Sequence, residues 1–395
     1  MRSIDDRGQP ELLEPLIVSE VAASRPRLND LALTLAEKSA AFAASLPAPL
    51  ASSLAELVTT VNCYYGHRIE GHDLNPIDID RAKSNVFSPR ATTRVLQLDA
   101  LSTIAVQRWI DDNDIAAPFS TEAICEVHRR IYEHASPKLL QAGWGGHISI
   151  EPGALRTGDF PLGKQAGVPP GSVPRLLARL ERGYRSAGRI DRILIAACGH
   201  HRLLRVHPFA YGNSRVARFV SYAALNSAIT TKGLWSMVRG LARRNAEYDL
   251  RLQACDRPTL RRFAGEESPD EAALADFVEF FLETCIAEVD FMTGLMQYDD
   301  LRARVLKWAD AQIKLGVLAP KSDAVLAAML YRGELERREI VAVTGVSERS
   351  ARRLTAALIK SGIALSTSSR SPLRLAFSAG LAMHILPGLF SPEQG

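Results

Sequence analysis

The segment HPFAYGNSRVAR, residues 207–218, decides how this 395-residue chain is interpreted. Pro208 disfavours helical geometry at the preceding residue, which predicts that His207 lies on a loop. Gly212, Asn213 and Ser214 then predict a tight turn that leads into a helix. The first backbone N–H groups of such a helix, together with the positive end of its dipole, suit a phosphate anion.

Two arginines and the histidine complete this predicted anion site. Arg215 and Arg218 lie three positions apart on the first turn, where they could supply charge-assisted donors for phosphate oxygens. His207 could take a proton from an incoming hydroxyl, because the unperturbed pKa of histidine lies near neutral pH. Taken singly, a His-Pro-Phe turn or an Arg-x-x-Arg helix face more often has an ordinary structural role. The fixed order of all these residue types is what favours a phosphate site.

Apolar residues recur at helical spacing on both sides of this segment, over 191–204 and 214–226. The same spacing predicts two helices between 28 and 62, separated at Pro47 and Pro49. Further helices are predicted over 94–114, 121–134, 175–186, 234–254 and, in more than one piece, 271–315. Residues 143–174 are rich in Gly and Pro and predict a loop or β-hairpin flap, whereas residues 1–27 predict an irregular arm.

Composition excludes several broad classes of protein. Hydrophobic residues make up 47% and charged residues 23% of the chain, which excludes a disordered or collagen-like protein. The net charge of only +4 excludes a global field that attracts nucleic acid or membranes, so any basic surface is local. The five cysteines are widely spaced, which indicates reduced thiols rather than a zinc site or a disulfide framework. With no signal peptide or membrane span predicted, we expect a cytoplasmic protein.

The block from residue 317 onward has a different pattern. Two short helical stretches, 323–331 and 337–344, precede a third helix over 348–361, for which Ser347 is a suitable N-cap. Residues 368–377 then alternate like the strands of a hairpin. This order of elements predicts a winged helix-turn-helix, in which Arg349, Arg352 and Arg353 could contact DNA. The alternative is that the block is a protein-docking element or a homodimer interface.

The segment HPFAYGNSRVAR resembles the Fic signature His-Pro-Phe-x-Asp/Glu-Gly-Asn-Gly-Arg-x-x-Arg, with departures at Tyr211 and Ser214. Upstream, NCYYGHRIEGHDLNPIDIDRA is similar to the inhibitory-helix segment of self-regulated Fic proteins, whose core is Ser/Thr-x-x-x-Glu-Gly. Downstream, GLWSMVRGLAR, FVEFFLETCIAEVDFM and the block ending in LPGLF resemble a bacterial Fic subfamily with an added DNA-binding-like module. The resemblance covers nearly all of residues 55–392.

The resemblance implies a mainly α-helical Fic fold that transfers AMP from ATP to a Ser, Thr or Tyr hydroxyl of a target protein. His207 would be the general base, and Phe209 would anchor the loop. The resemblance implies phosphate contacts from Gly212, Asn213, Ser214, Arg215 and Arg218. Residues 146–170 would form the flap that holds the target segment by strand-like backbone pairing. Glu70 would contact Arg218 and so deny the γ-phosphate its partner.

The departures from the Fic pattern affect the metal and the inhibitory helix. Tyr211 stands where the family has an acidic Mg²⁺ ligand, and a phenol with a pKa of about 10 is a poor ligand for a hard cation. Slow or absent AMP transfer is therefore expected. Ser214 replaces a glycine beside the phosphates but can cap a helix. Gly66 replaces the Ser or Thr of the inhibitory motif, which removes a hydrogen bond that steadies that helix.

Three domains are predicted: an N-terminal helical region over 1–95 that carries the inhibitory helix, a Fic core over 96–316, and a winged helix-turn-helix over 317–395. The first functional hypothesis is a protein adenylyltransferase that uses ATP, is self-inhibited by Glu70 and is impaired by Tyr211. The second is a catalytically inactive protein that binds a nucleotide or peptide and acts as a regulator that binds DNA through residues 347–377. The sequence does not identify the target protein.

Overall fold

The computed structural model describes residues 9–133, 135, 149–158, 168–256 and 269–390, and this part of the chain is mainly α-helical. Up to residue 314 the helices are α1 Arg25–Ser45, α2 Ala48–Ile69, α3 Pro76–Lys83, α4 Ala91–Asp112, α5 Thr121–Tyr132, α6 Val173–Tyr184, α7 Arg189–Val206, α8 Asn213–Ala228, α9 Met237–Arg243, α10 Asn245–Cys255, α11 Pro269–Leu295 and α12 Tyr298–Lys314. The mainly helical fold predicted from the sequence is confirmed.

The C-terminal block contains short helices and a small antiparallel sheet. Its elements are α13 Ser322–Arg332, β1 Glu334–Leu335, α14 Glu339–Thr344, α15 Glu348–Lys360, β2 Ala364–Leu365, β3 Leu373–Leu375 and α16 Ala379–Ile385. The sheet has the strand order β1-β3-β2, with Leu335 opposite Leu373 and Ala364 opposite Leu375. The hydroxyl of Ser347 accepts from the backbone N–H of Ser350, which caps α15 as predicted. The block therefore has the helix and hairpin order from which a winged helix-turn-helix was predicted.

Several element boundaries differ from those that periodicity predicts. The break between α1 and α2 falls at Leu46 and Pro47, as the two prolines indicate. The predicted helix over 234–254 is instead two helices, because Arg244 leaves helical geometry with φ −117° and ψ 32°. In the C-terminal hairpin the first strand is Ala364–Leu365, so residues 368–371 belong to the turn rather than to a strand. Neither α3 nor α16 was predicted.

The β flap predicted for residues 146–170 lies partly outside the described residues. Residues 146–148 and 159–167 fall outside them, and the described remainder, 149–158 and 168–170, contains no strand. A flap that pairs with a target segment therefore stays a prediction. The predicted domain boundary between 95 and 96 falls inside α4, and the boundary between 316 and 317 falls between α12 and α13. Within the described ranges, no helix combines the length and the apolar character needed to span a membrane.

The helical core brings distant parts of the sequence to the start of α8. Helices α7 and α8 pack against each other, and α4 and α5 pack against α8. Helix α2 packs against α4, so Glu70, at the C-terminal end of α2, lies next to the first turn of α8. The core is formed by fully buried residues on these helices, among them Leu54, Ile104, Ile131 and Val220. Burial of these side chains stabilises the arrangement by roughly 2 kcal/mol each.

Residues 386–390, called here the C-terminal strap, brace α2 from outside. The Tyr65 hydroxyl donates to the Leu389 carbonyl at 3.0 Å, and the rings of Tyr64 and Phe390 meet edge to face. Arg239, on α9, donates to the carbonyl of Gly388 at 2.8 Å and forms a buried ion pair with Glu288 at 2.6 Å. The strap thus connects the end of the C-terminal block to the helix that carries Glu70.

Tyr65→Phe is expected to lower the free energy of unfolding by about 1 kcal/mol, because it removes the hydrogen bond that holds the strap to α2. Chemical denaturation followed by circular dichroism measures the change. The matched control is Tyr64→Phe, since the Tyr64 hydroxyl makes no hydrogen bond within the described ranges and its ring contact survives. Equal losses in the two variants would show that the strap is not held by Tyr65.

Candidate active site

The loop between α7 and α8 has the geometry that the sequence predicts. His207 ends α7 in the left-handed region at φ 50°, and Gly212 precedes α8 at φ 80°. Phe209 is completely buried beneath the loop. The Asn213 side chain accepts from the Phe209 N–H at 2.9 Å and donates to the Phe209 carbonyl at 2.8 Å. The side-chain amide of Asn213 therefore shapes the loop. Only the backbone N–H of Asn213 is left to bind a phosphate.

His128 and Arg156 also hold this loop, and neither was identified from the sequence. The His128 ring stacks on Phe209 with centroids 3.9 Å apart, and its Nδ1 accepts from the Gly153 N–H at 2.9 Å. Its Nε2 is then the protonated nitrogen and faces the Tyr211 carbonyl at 3.3 Å. Arg156 donates from Nε to the His207 carbonyl at 2.7 Å and from its backbone to the Pro208 carbonyl at 2.9 Å. These contacts fix the backbone that carries His207.

The first turn of α8 presents free backbone donors. Val216 donates its N–H to the Gly212 carbonyl, which closes the first helical hydrogen bond. No acceptor within the described ranges receives the N–H groups of Asn213, Ser214 or Arg215. Three unpaired N–H groups thus lie at the positive end of a 16-residue helix, which is the arrangement from which the anion site is predicted.

Glu70 binds both arginines of the segment. Its carboxylate accepts from Arg215 Nε at 3.0 Å and from Arg215 Nη2, which is a two-point contact. The same carboxylate accepts from Arg218 Nη2, while Arg218 Nη1 donates to the Ser214 hydroxyl at 2.7 Å. The Arg218 side chain is 4% exposed and that of Glu70 19%. The structure thus brings Glu70 to Arg218, as the resemblance implies, and also to Arg215.

Asp99 and His67 extend this network into the core. Arg215 Nη1 lies 2.8 Å and 3.0 Å from the two carboxylate oxygens of Asp99. His67 Nε2 lies 3.0 Å from Asp99 Oδ2, and the geometry is that of an ion pair rather than a well-directed hydrogen bond. Asp99 was not among the residues predicted for this site, although a carboxylate on the apolar face of a predicted helix signals a buried cationic partner.

Charge balance within the network shifts the acid–base properties of its members. Burial favours neutral Glu70, but the guanidiniums of Arg215 and Arg218 outweigh it and lower the pKa of Glu70 to about 2. Burial likewise opposes ionisation of Asp99, while Arg215 and His67 bring the pKa of Asp99 well below its ordinary value. Burial disfavours a charged His67, yet Cys63 and Asp99 raise the pKa of His67 to about 10. Both carboxylates are ionised at neutral pH.

His207 and Tyr211 are shifted in ways that bear on chemistry. Burial, with the Arg156 guanidinium nearby, lowers the pKa of His207 to about 4. The imidazole is therefore neutral at pH 7 and available to accept a proton. Burial and the charge of Glu70 raise the pKa of Tyr211, so its phenol stays protonated.

The side chains present do not fit a carboxylate-held Mg²⁺. Within the described ranges, no group of three His, Cys, Asp or Glu side chains is arranged to hold a metal. The two carboxylates near the start of α8, Glu70 and Asp99, are engaged by arginines. Tyr211, at the position of the acidic ligand, remains a neutral phenol.

Gly66 lines a cavity of about 30 Å³ behind the two arginines, with room for about one water molecule. A Cβ built on Gly66 would have Val238 Cγ1 as its nearest neighbour, at 4.0 Å. A serine side chain at this position therefore has space. Its absence removes a polar group from the helix end that carries Glu70.

Comparison with known proteins agrees with this geometry. Residues 118–225, which include α5, the loop and most of α8, match the family model described as "Fic/DOC family". This part of the chain is therefore similar to the Fic/DOC family. The matched range begins after Glu70 and ends before the C-terminal block, so it covers the predicted phosphate site and neither of these other elements.

Curated relatives of this chain carry the name protein adenylyltransferase. The Caenorhabditis briggsae protein adenylyltransferase fic-1 is 32% identical over 185 residues, 46% of this chain and 31% of that protein. The Culex quinquefasciatus protein adenylyltransferase Fic is 25% identical over 172 residues, 43% of this chain and 30% of that protein. The aligned part of the chain thus spans less than a third of the length of each of these two relatives.

Two solved structures share the fold. A Fic family protein from Desulfovibrio desulfuricans G20 has a TM-score of 0.51 and 16% identity, over 91% of this chain and 98% of the other. A segment of Fic-1 from C. elegans has a TM-score of 0.52 and 17% identity, over 69% of this chain and 74% of the other. At this level of sequence identity, the two similarities show a shared fold and nothing about activity.

The predicted site residues fall into two separate groups. Arg215 and Arg218 contact Glu70 at the start of α8, and Arg218 also contacts Ser214. This helix start follows the loop that carries His207 and Gly212. The three predicted DNA-contacting arginines are exposed on α15, in the C-terminal block. The adjacent histidines His200 and His201 are buried and paired with Tyr248 and Asp256, which agrees with a structural role.

The Glu70 ion pairs are expected to make stability depend on acid pH. A carboxyl whose pKa falls from 4.5 to about 2 on folding contributes stability that is complete above about pH 4.5 and is lost as the pH falls towards 2. Wild type should therefore lose up to about 3 kcal/mol more than Glu70→Gln over this range. Urea unfolding at several pH values measures the difference.

The control for this comparison is Glu56→Gln, which removes a half-exposed carboxylate that pairs with Arg108 on the surface. This variant should follow the wild-type pH profile closely, because exposed ion pairs contribute little. Parallel profiles for wild type and Glu70→Gln would mean that Glu70 is not bound to the arginines in solution.

Proposed function

We propose that this Fic protein transfers AMP from ATP to a Ser, Thr or Tyr hydroxyl of a target protein, that Glu70 inhibits the transfer and that Tyr211 impairs it. The proposal follows the Fic resemblance, and the names of the curated relatives support it. The observation that carries it is the position of Glu70, whose carboxylate occupies both arginines beside the free N–H groups of α8.

The proposed reaction moves one proton and breaks one phosphoanhydride bond. The target hydroxyl oxygen attacks the α-phosphorus of ATP, pyrophosphate leaves, and the hydroxyl proton passes to the imidazole of His207. His207 is neutral at pH 7 and sits on a loop fixed by Arg156 and His128. The N–H groups at the start of α8 would hold phosphate oxygens and stabilise the charge that develops on them.

Inhibition by Glu70 follows from the donors that it occupies. Arg218 is proposed to bind the terminal phosphate, but its guanidinium is held between Glu70 and the Ser214 hydroxyl. Arg215 is held between Glu70 and Asp99. Glu70 must therefore move before either arginine can reach a nucleotide, and removal of its carboxylate should open the site.

Tyr211 is proposed to limit the rate because the side chains offer no carboxylate for a divalent cation. Neutralisation of the phosphate charge is a large part of catalysis in phosphoryl-type transfer. With a protonated phenol at this position, that task falls on Arg215, Arg218 and the helix start. We derive no step through a metal for the natural sequence.

Transfer of label from ATP to protein, with Mg²⁺ or Mn²⁺, tests this function. Wild type is expected to show little or no labelling, Glu70→Gly more, and Glu70→Gly with Tyr211→Asp the most, by about tenfold or more over Glu70→Gly. His207→Ala in the double variant should abolish the labelling.

Folding of each variant is checked by thermal unfolding. If Tyr211→Asp changes neither Mg²⁺ affinity nor labelling, the missing ligand is not the chief defect. If no variant labels itself or any protein of a lysate, AMP transfer is not the activity, and the second candidate function gains support.

The second candidate function is that of a DNA-binding regulator: a catalytically inactive Fic protein that binds a nucleotide or a peptide. Arg349, Arg352 and Arg353 are all exposed on α15. Arg352 lies 3.5 Å from Glu348, and both of these side chains are more than 80% exposed. Arg352 lines a cleft of about 1020 Å³, and the wall of this cleft also includes Arg337, Arg338, Lys360 and one carboxylate, Glu348. This local basic surface supports the proposal that residues 347–377 bind the phosphates of DNA.

Duplex DNA binding is expected to weaken when the three α15 arginines are changed to alanine together. Each phosphate contact that is lost should reduce the magnitude of the slope of log K against log salt by about 0.9. If all three arginines contact phosphates, the magnitude of the slope should therefore fall by about 2 to 3 in the triple variant. Fluorescence anisotropy of a labelled duplex at several salt concentrations measures both affinity and slope.

The matched control replaces Arg27, Arg108 and Arg185 with alanine, three exposed arginines outside the C-terminal block that form surface ion pairs. The two triple variants carry the same charge change. If they bind DNA equally, the α15 surface does not recognise it, and the C-terminal block is better described as a protein-docking element.

A further inference from the structure

The hydroxyl of Tyr132 is buried without a hydrogen-bond partner. Tyr132 is the last residue of α5, is 1% exposed, and its hydroxyl finds neither donor nor acceptor in the part of the chain that the structure describes. A buried hydroxyl in this state destabilises the fold, because no hydrogen bond offsets the loss of its contact with water. Buried polar groups in native proteins are usually paired, so a persistent exception calls for a partner that is absent from this state of the molecule.

This hydroxyl lies directly against the start of α8. A Cβ built on Gly212 would stand 2.3 Å from the Tyr132 oxygen, so only a glycine lets the phenol approach the backbone here. Gly212 also has φ 80°, which disfavours any other residue. The Tyr211 ring meets the Tyr132 ring edge to face, with centroids 6.1 Å apart. The phenols of Tyr132 and Tyr211 therefore lie on either side of the turn at Gly212. The unpaired N–H groups of residues 213–215 follow directly after this turn.

The groups that converge on this turn are mostly donors. The N–H groups of Asn213, Ser214 and Arg215 have no acceptor within the described ranges, and Arg215 and Arg218 contribute their guanidiniums. Burial raises the pKa of Tyr132, so its phenol is protonated and can also donate. The acceptor that closes this arrangement at present is Glu70, which reaches the arginines but not the Tyr132 hydroxyl.

We propose that the Tyr132 hydroxyl is a phosphate-binding group, which donates to a nucleotide phosphate oxygen that enters at the start of α8. This inference rests on the nucleotide site of the proposed function and adds a residue from outside the His207–Arg218 segment. It also defines the chemistry of recognition. The phosphate oxygens are bound by hydroxyl, amide and guanidinium donors of the protein, so nucleotide binding does not require a divalent cation.

The geometry predicts opposite effects of Tyr132→Phe on stability and on binding. Without ligand the variant should be as stable as its parent or more stable, because it loses an unpaired buried hydroxyl and keeps the ring. With ligand it should bind about tenfold more weakly, because one hydrogen bond to a charged oxygen is lost. A residue with a purely structural role would not separate the two measurements in this way.

Calorimetric titration of the full-length chain with ATP in EDTA tests the proposal, in a Glu70→Gly background that frees the arginines. The matched control is Tyr184→Phe, which removes another buried phenol hydroxyl that donates to the Leu16 carbonyl at 3.0 Å. The control should lower the free energy of unfolding and leave the dissociation constant for ATP unchanged. Thermal unfolding of each variant without nucleotide supplies the stability arm.

Two results would overturn the proposal, and they are distinguishable. If the parent binds ATP in EDTA and Tyr132→Phe binds it equally well, the hydroxyl does not contact phosphate, while the proposed nucleotide site stands. If the parent binds ATP only when Mg²⁺ is added, or not at all, the cation-independent site is wrong, and failure under both conditions removes the proposed nucleotide site as well. Weaker binding by Tyr132→Phe with undiminished stability supports the proposal.

Discussion

The contact of one carboxylate with two arginines organises the centre of this protein. Glu70 closes a charge network that runs from Arg218 through Arg215 to Asp99 and His67, and these residues lie on or at the end of three helices. Removing water from so many charges is costly, so the network is stable only while each charge has an opposite neighbour. The close approach of α2, α4 and α8 satisfies that requirement. A ligand that takes the arginines must therefore supply negative charge of its own, as a polyphosphate does.

The helices and the phosphate loop could be predicted because their causes are local. Prolines set the break between α1 and α2, and Pro208 with Gly212 sets the turn into α8. Glu70 and Arg218 were connected through the family resemblance, and the structure places them in contact. Helix α10 was not separated from α9, because the deviation at Arg244 accompanies contacts to Glu247 and to Thr284, a residue 40 positions away.

The residues that support the loop could not be predicted, because their roles depend on contacts with distant parts of the chain. His128 contacts the Tyr211 carbonyl 83 positions away and Arg156 the His207 carbonyl 51 positions away, and nothing in their immediate sequence indicates these pairings. For Asp99, the apolar face of a predicted helix signals a cationic partner but does not identify Arg215, 116 positions away. Tyr132 is a more demanding case, since its distinguishing property is a missing partner. A missing hydrogen bond has no pattern in a sequence and becomes visible only when every neighbour is placed.

The C-terminal strap also sets an order of events in synthesis. The Leu389 carbonyl that receives the Tyr65 hydroxyl lies 324 positions further along the chain. During translation the helix that carries Glu70 leaves the ribosome long before the residues that brace it. The complete His207–Arg218 segment also emerges earlier than the strap. Any contact between Glu70 and the arginines that forms before residues 386–390 emerge therefore lacks the support of the strap.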